Sequence, residues 1–88
     1  MKHYEAETIA HLVDVIGHYI SWANNGKPVE EIDYASRLSA ELDWMRGRRY
    51  SEAAIALLYE VIQAIDKAPT LETLKMAHSK LKEHTKLL

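Results

Sequence analysis

Four residues near the start of the chain have the types and the spacing that could bind a metal ion. They lie at steps of three and four residues: Glu7, His11, Asp14 and His18. This spacing stacks side chains in one row along a helix, and imidazole and carboxylate groups in such a row can share a divalent cation. The row lies opposite the apolar stripe of the same helix, so we expect it to face water. We predict a solvated polar face without a metal or cofactor, and metal binding by this row is an alternative.

The densest cluster of cationic and aromatic residues lies just past the middle of the chain. Its members are Trp44, Arg46, Arg48, Arg49 and Tyr50. Tryptophan, tyrosine and arginine are enriched at the energetic centres of protein interfaces. We predict that these five residues bind a protein partner or a second copy of the chain. Guanidinium groups beside aromatic rings also bind phosphate and single-stranded nucleic acid, which is a second alternative.

Composition restricts the function classes. The chain has 11 Lys and Arg against 13 Asp and Glu, a formal net charge of −2 and a pI of about 6.2. Nucleic-acid binding rests on a strongly basic surface, so this balance argues against it. The absence of cysteine excludes disulfides and thiolate chemistry. The three glycines are isolated and no serine has the context of an activated nucleophile, so we predict no catalytic residue and no enzyme.

Helices are the elements predicted to position these residues. A first helix over residues 4–24 has apolar residues at every third or fourth position, and Asn24, Asn25 and Gly26 favour its end. Its stripe is Ile9, Leu12, Val13, Ile16, Tyr19, Ile20 and Ala23. A second helix is predicted over residues 29–46, beginning at Pro28 and ending at Gly47. Its inward stripe is Ile32, Tyr34, Ala35, Leu38, Leu42 and Met45, and both Trp22 and Trp44 lie off the stripes of their helices.

Two more helices complete the chain. The third, over residues 51–67, begins with Ser51 as its N-cap and has the widest apolar arc, so we expect it to contact the most neighbours. The fourth, over residues 71–86, begins after Thr70 as its N-cap. Its narrow seam is Leu71, Leu74, His78, Leu81, Thr85 and Leu88. Because two of these six positions are polar, we expect the fourth helix to pack most loosely, with His78 at the boundary of the core.

Together these patterns predict a single all-α domain over residues 1–88, folded as a four-helix antiparallel up-down bundle. Short connections favour antiparallel neighbours, and 88 residues are too few for two cores. A domain of this size has modest stability, and dimerisation would bury further apolar surface. We find no signal-peptide pattern and no apolar run that could span a bilayer, so we expect a cytoplasmic location without membrane contact. The predicted function is that of a small, non-enzymatic interaction or regulatory protein.

Overall fold

The computed structural model describes residues 3–87, and it describes side chains for residues 5–34 and 36–86. Within these residues the chain forms four α-helices, one short 3-10 helix and no β-strand. The elements are α1 (His3–Asn24), the 3-10 helix (Val29–Glu31), α2 (Tyr34–Arg46), α3 (Glu52–Lys67) and α4 (Leu71–Leu87). The predicted all-α, four-helix fold is confirmed. The predicted seam residue Leu88 lies outside the described residues, as does the side chain of Ala35.

The core is built from the apolar stripes of all four helices. In each helix, residues spaced by three or four positions point to one side and are removed from water. The largest fully buried side chains are Ile9, Leu12, Ile16, Leu38, Met45, Leu58, Val61, Ile65, Leu74 and Leu81. The seven outside α3 belong to the stripes listed above, and the other three lie in the apolar third helix, so burial of apolar surface explains which face of each helix points inward.

The second helix begins later than predicted. Val29–Glu31 forms a 3-10 turn, Ile32 is extended, and α2 begins only at Tyr34. In one continuous helix from residue 29, Val29 and Tyr34 would point about 140° apart. The break at Ile32 lets Val29, Ile32 and Tyr34 all reach the core. The prediction of one helix over residues 29–46 is therefore corrected to a 3-10 turn, a bend and a shorter α-helix.

Three predicted helix ends have the expected local contacts. The Ser51 hydroxyl accepts a hydrogen bond from the Ala54 backbone N–H at 3.2 Å and so caps α3. The Thr70 hydroxyl accepts one from the Thr73 N–H at 3.2 Å and caps α4. After α1, Gly26 has φ of +100°, a conformation that other residues rarely adopt.

The helices approach one another unequally. α4 packs most extensively against α1 and also contacts α3, while α3 contacts α2. Within the described residues, α1 and α2 are not among the pairs with close backbone contact. The expectation that α4 packs most loosely is therefore wrong, whereas α3 and α4 each contact two neighbouring helices extensively. Small residues lie at the contact between α1 and α4, because Ala77 is buried and a Cβ on Gly17 would be in ordinary van der Waals contact with the His78 ring, 3.8 Å from Nε2.

Two polar contacts relate the directions of the helices. The Tyr34 hydroxyl, at the start of α2, donates to the Asp66 carboxylate, at the end of α3, at 2.7 Å. Glu5, near the start of α1, contacts Ser51, at the start of α3. The first contact is expected for antiparallel α2 and α3, and the second for parallel α1 and α3, so both agree with an up-down order. The up-down order of all four helices remains a prediction.

Candidate partner-binding surfaces

The predicted row of Glu7, His11, Asp14 and His18 lies on the outside of α1. All four residues are exposed, as the position opposite the apolar stripe predicts. Among the described residues, no three His, Asp or Glu side chains come together in a way that could hold a metal ion. The alternative interpretation as a metal site therefore has no ligand set in this part of the chain.

The predicted cationic and aromatic cluster forms a patch at the end of α2 and in the following turn. We call Trp44, Arg46, Arg48, Arg49 and Tyr50 the arginine–tryptophan patch. The Arg48 guanidinium carbon lies 3.4 Å from the centroid of the Trp44 ring, which is a close cation–π contact. All members except Arg46 line a shallow depression of about 410 Å³.

The patch faces outward because α2 directs its other side into the core. Leu42 and Met45 are buried, whereas Trp44, between them in sequence, is 49% exposed. The three arginines of the patch are exposed as well. Neither Arg46 nor Arg48 forms an ion pair with a carboxylate in the described part of the chain. These two guanidinium groups can therefore meet an external acidic group without breaking an internal ion pair.

Tyr50 differs from the rest of the patch. It is buried, and its hydroxyl lies 2.6 Å from the hydroxyl of Thr8 on α1. It forms one wall of the depression and anchors the turn between α2 and α3 to α1. The arginines beside it are thus carried by a segment that is fixed to the core.

Glu5 also holds the turn between α2 and α3, and this role was not predicted from the sequence. Its side chain is buried, and its carboxylate accepts hydrogen bonds from the Ser51 backbone N–H at 3.3 Å and from the Ser51 hydroxyl at 2.5 Å. A carboxylate at the start of α3 also interacts favourably with the helix dipole. The available signal was spacing, because Glu5 lies four residues before Ile9 and so on the buried stripe of α1.

A second surface, which the sequence analysis did not predict, lies between α1 and α2. One part is a cavity of about 440 Å³ lined by His11, Asp14, Val15, His18, Tyr19, Trp22 and Arg37. A second part, of about 490 Å³, shares Tyr19, Trp22 and Arg37 and extends to the 3-10 turn, where it is lined by Lys27, Glu31, Ile32, Asp33 and Ser36. We call both parts together the α1–α2 groove.

Three residues lie where the two parts of the groove meet. Tyr19 is 4% exposed, and burial raises the pKa of its hydroxyl, an effect that Arg37 opposes and Asp33 strengthens. Trp22 is 47% exposed, with its ring centroid 5.7 Å from that of Tyr19 and 5.7 Å from the Lys27 ammonium. Its position off the apolar stripe of α1 was the signal for this surface.

Searches of family models, curated proteins and solved structures find no match for this chain. None of the helices within residues 3–87 combines the length and the apolar character that a bilayer crossing requires. The geometry of the two surfaces is therefore the basis for the function proposed below.

Proposed function

We propose that the chain is a small, non-enzymatic interaction protein that binds a protein partner through the arginine–tryptophan patch. The observation that carries this proposal is the stack of the Arg48 guanidinium on the half-exposed Trp44 ring. Large aromatic and guanidinium side chains supply most of the energy in many protein interfaces. A partner that covers the Trp44 ring would remove both groups from water together.

The patch is preorganised for binding. The Trp44 side chain is already held by Arg48, and the adjoining turn is held by the contacts of Tyr50 and Ser51 with α1. Ordering a mobile side chain on association costs about 0.5–1.5 kcal/mol, so side chains that are already ordered reduce this cost. A domain of this size offers a limited contact area, so a lower cost of ordering side chains has a large effect on its affinity.

The charge of the patch indicates the character of the partner. Three arginines occur within residues 46–49, and no acidic residue occurs from 44 to 50. In a symmetric dimer through this patch, the same arginines would face each other and repel. We therefore propose an acidic protein surface, with an apolar side chain seated against Trp44, rather than a second copy of this chain.

Capture experiments with matched variants test this proposal. Immobilised wild-type protein, Trp44→Ala and Trp22→Ala are exposed to lysate of the source cells, and recovered proteins are compared by quantitative mass spectrometry. A candidate that is lost only with Trp44→Ala is purified, and its Kd is measured by calorimetry. Because a hot-spot residue contributes about 2 kcal/mol or more, we expect at least about a 30-fold loss of affinity for Trp44→Ala.

Trp22→Ala is the matched control because Trp22 is exposed to a similar extent on a different surface. Equal losses with both variants, or no protein whose recovery depends on Trp44, would contradict the proposal. Binding of short single-stranded RNA at low salt that is lost with Arg48→Gln would instead assign the patch to nucleic acid. Concentration-dependent dimerisation that is abolished by Trp44→Ala would assign it to self-association.

A further inference from the structure

We propose that the α1–α2 groove binds a small aromatic carboxylate. In this assignment the Arg37 guanidinium and the Tyr19 hydroxyl bind the carboxylate, and the aromatic ring lies against Trp22. The site is separate from the arginine–tryptophan patch and shares no lining residue with it. It does not depend on the function proposed for that patch.

The space for a ligand arises from the way the helices pack. The backbones of α1 and α2 have little close contact in the described residues, and the 3-10 turn Val29–Glu31 lies between the two helices in the chain. The result is a concave surface in two parts, with volumes of about 440 Å³ and about 490 Å³. Small-molecule sites have volumes of about 300–1,000 Å³, so the cavity is large enough for a ring system with a polar substituent.

Two groups in the groove are suited to a carboxylate. Arg37 is exposed and forms no hydrogen bond or ion pair with any described residue. The Tyr19 side chain is more than nine-tenths buried, lines both parts of the groove, and its hydroxyl has no hydrogen-bond partner among the described residues. A guanidinium can donate two parallel hydrogen bonds to a carboxylate, and the phenol can donate a third.

Trp22 supplies the surface for an aromatic ring. Its ring packs against the ring of Tyr19, and the Lys27 ammonium lies near it, so the indole is held in place before any ligand binds. About half of the side chain remains exposed to the groove and solvent. Offset stacking on such a ring adds to the apolar contact that Val15 provides.

The remaining charges limit the negative charge that a ligand in the groove can carry. Three carboxylates line the groove, those of Asp14, Glu31 and Asp33, against the cations of Arg37 and Lys27. A dianion such as a phosphate monoester would be repelled by these carboxylates more strongly than a monocarboxylate. His11 and His18 line the same part of the groove as Asp14 and can donate imidazole N–H groups to solvent or ligand.

Nuclear magnetic resonance on the full ¹⁵N-labelled chain tests this inference with 2-naphthoate as the probe. We expect saturable shifts of the Trp22 indole N–H and of backbone amides near Tyr19 and Arg37, with no shift of the Trp44 indole N–H. The neutral analogue 2-naphthalenemethanol and the cation 2-naphthylmethylamine are expected to bind at least about tenfold more weakly. The alcohol oxygen cannot form the bidentate ion pair that a carboxylate forms with Arg37, and the ammonium group has no acceptor and is repelled by the guanidinium.

Variants then separate the two ends of the site. We expect Arg37→Gln to weaken 2-naphthoate binding by about tenfold or more and Tyr19→Phe by a smaller factor, because Tyr19→Phe removes only one neutral donor. Lys75→Gln, which removes an exposed cation of α4 outside both surfaces, is the control and should leave binding unchanged. An unaltered pattern of distant amide resonances shows that each variant is folded.

Three outcomes would overturn the inference. These are the absence of saturable shifts with 2-naphthoate at millimolar concentration, equal binding of the amine, and equal binding by Arg37→Gln. Shifts confined to the Trp44 indole would place the probe on the arginine–tryptophan patch instead. None of these outcomes affects the capture experiment with Trp44→Ala, so failure of one proposal is distinguishable from failure of the other.

Discussion

The two sides of α1 differ in how closely the neighbouring helix approaches. On one side α4 packs along α1, with Gly17 against the His78 ring and with Ala77 buried. On the other side α2 stands apart, and larger side chains such as Tyr19 and Trp22 line an open groove. We call the face of α1 against α4 the close side and the face towards α2 the open side. The contacts described on the close side hold the helices together, whereas the open side has polar and aromatic groups that a ligand can reach.

The comparison shows that residue size decides helix approach as much as the amount of apolar surface does. α4 has two polar residues, His78 and Thr85, in its seam, yet it packs closely on α1, with the small residues Gly17 and Ala77 at their contact. α2 has a more uniformly apolar stripe but is directed towards α3, where Tyr34 and Asp66 form a hydrogen bond. Helix α1 is thus held by α4, by the Glu5 contact with Ser51 and by the Thr8 contact with Tyr50.

Truncation of a buried residue on α4 should give the largest loss of stability, because it disrupts the packing of α4 against α1. Leu81 is fully buried, so Leu81→Ala is expected to lower the free energy of unfolding by about 2–5 kcal/mol. Trp22→Ala, on the open side, should change it by no more than about 0.5 kcal/mol. Urea denaturation followed by circular dichroism measures both. Equal destabilisation would show that the two sides of α1 are equally packed.

Removal of the buried carboxylate tests how α1 is held at its start. Glu5→Ala leaves the Ser51 backbone N–H and hydroxyl without their partner, and we expect a loss of about 1–3 kcal/mol in the free energy of unfolding. Glu7→Ala is the control because Glu7 is exposed two residues away. If both variants unfold at the same denaturant concentration, the contact with Ser51 does not stabilise the fold.

The attachment of α2 to α3 should depend on alkaline pH. Burial and the hydrogen bond to Asp66 raise the pKa of Tyr34 from 10.0 to about 12. The folded state therefore holds the Tyr34 proton more tightly than the unfolded state, and stability falls as pH rises from about 10 to about 12. Below pH 10 we expect Tyr34→Phe to cost about 1 kcal/mol.

The difference between wild type and Tyr34→Phe separates this effect from the titration of lysines. It should shrink as pH rises through about 12 and vanish above it, in urea melts recorded at a series of alkaline pH values. A difference that stays constant over this range would show that the Tyr34 proton does not contribute to holding α2.

A small stabilising change would sharpen the description of the close side. Gly17 lies inside α1, and a Cβ there would be in ordinary van der Waals contact with the His78 ring. Because glycine inside a helix costs about 0.5–1 kcal/mol relative to alanine, Gly17→Ala should raise Tm by a few degrees. A lower Tm would mean that α1 and α4 approach more closely than the structure shows.

Local patterns predicted most of the fold. The apolar stripes, the caps Ser51 and Thr70, and the left-handed Gly26 all follow from contacts within a few residues of the chain. The late start of α2 was not predicted because Pro28 and the two glutamates also suit an α-helix, and only the burial of Val29 and Ile32 in the core decides against one.

The candidate sites were predictable only in part. The exposure of Trp44 and the arginines follows from the position of α2's apolar stripe, whereas the burial of Tyr50 depends on its contact with Thr8, 42 residues away. Arg37 has no sequence pattern that links it to Tyr19, because that proximity depends on where α2 lies relative to α1.

Modification of the natural histidines by diethyl pyrocarbonate, followed residue by residue by mass spectrometry, tests the contrast between the two sides of α1 most directly. His11 and His18 line the open groove and are exposed, whereas His78 packs against Gly17 and the Nε2 atom of His84 is buried. The structure predicts fast modification of His11 and His18 and slow modification of His78 and His84. Equal rates at His18 and His78 would contradict a close α1–α4 face and an open α1–α2 groove.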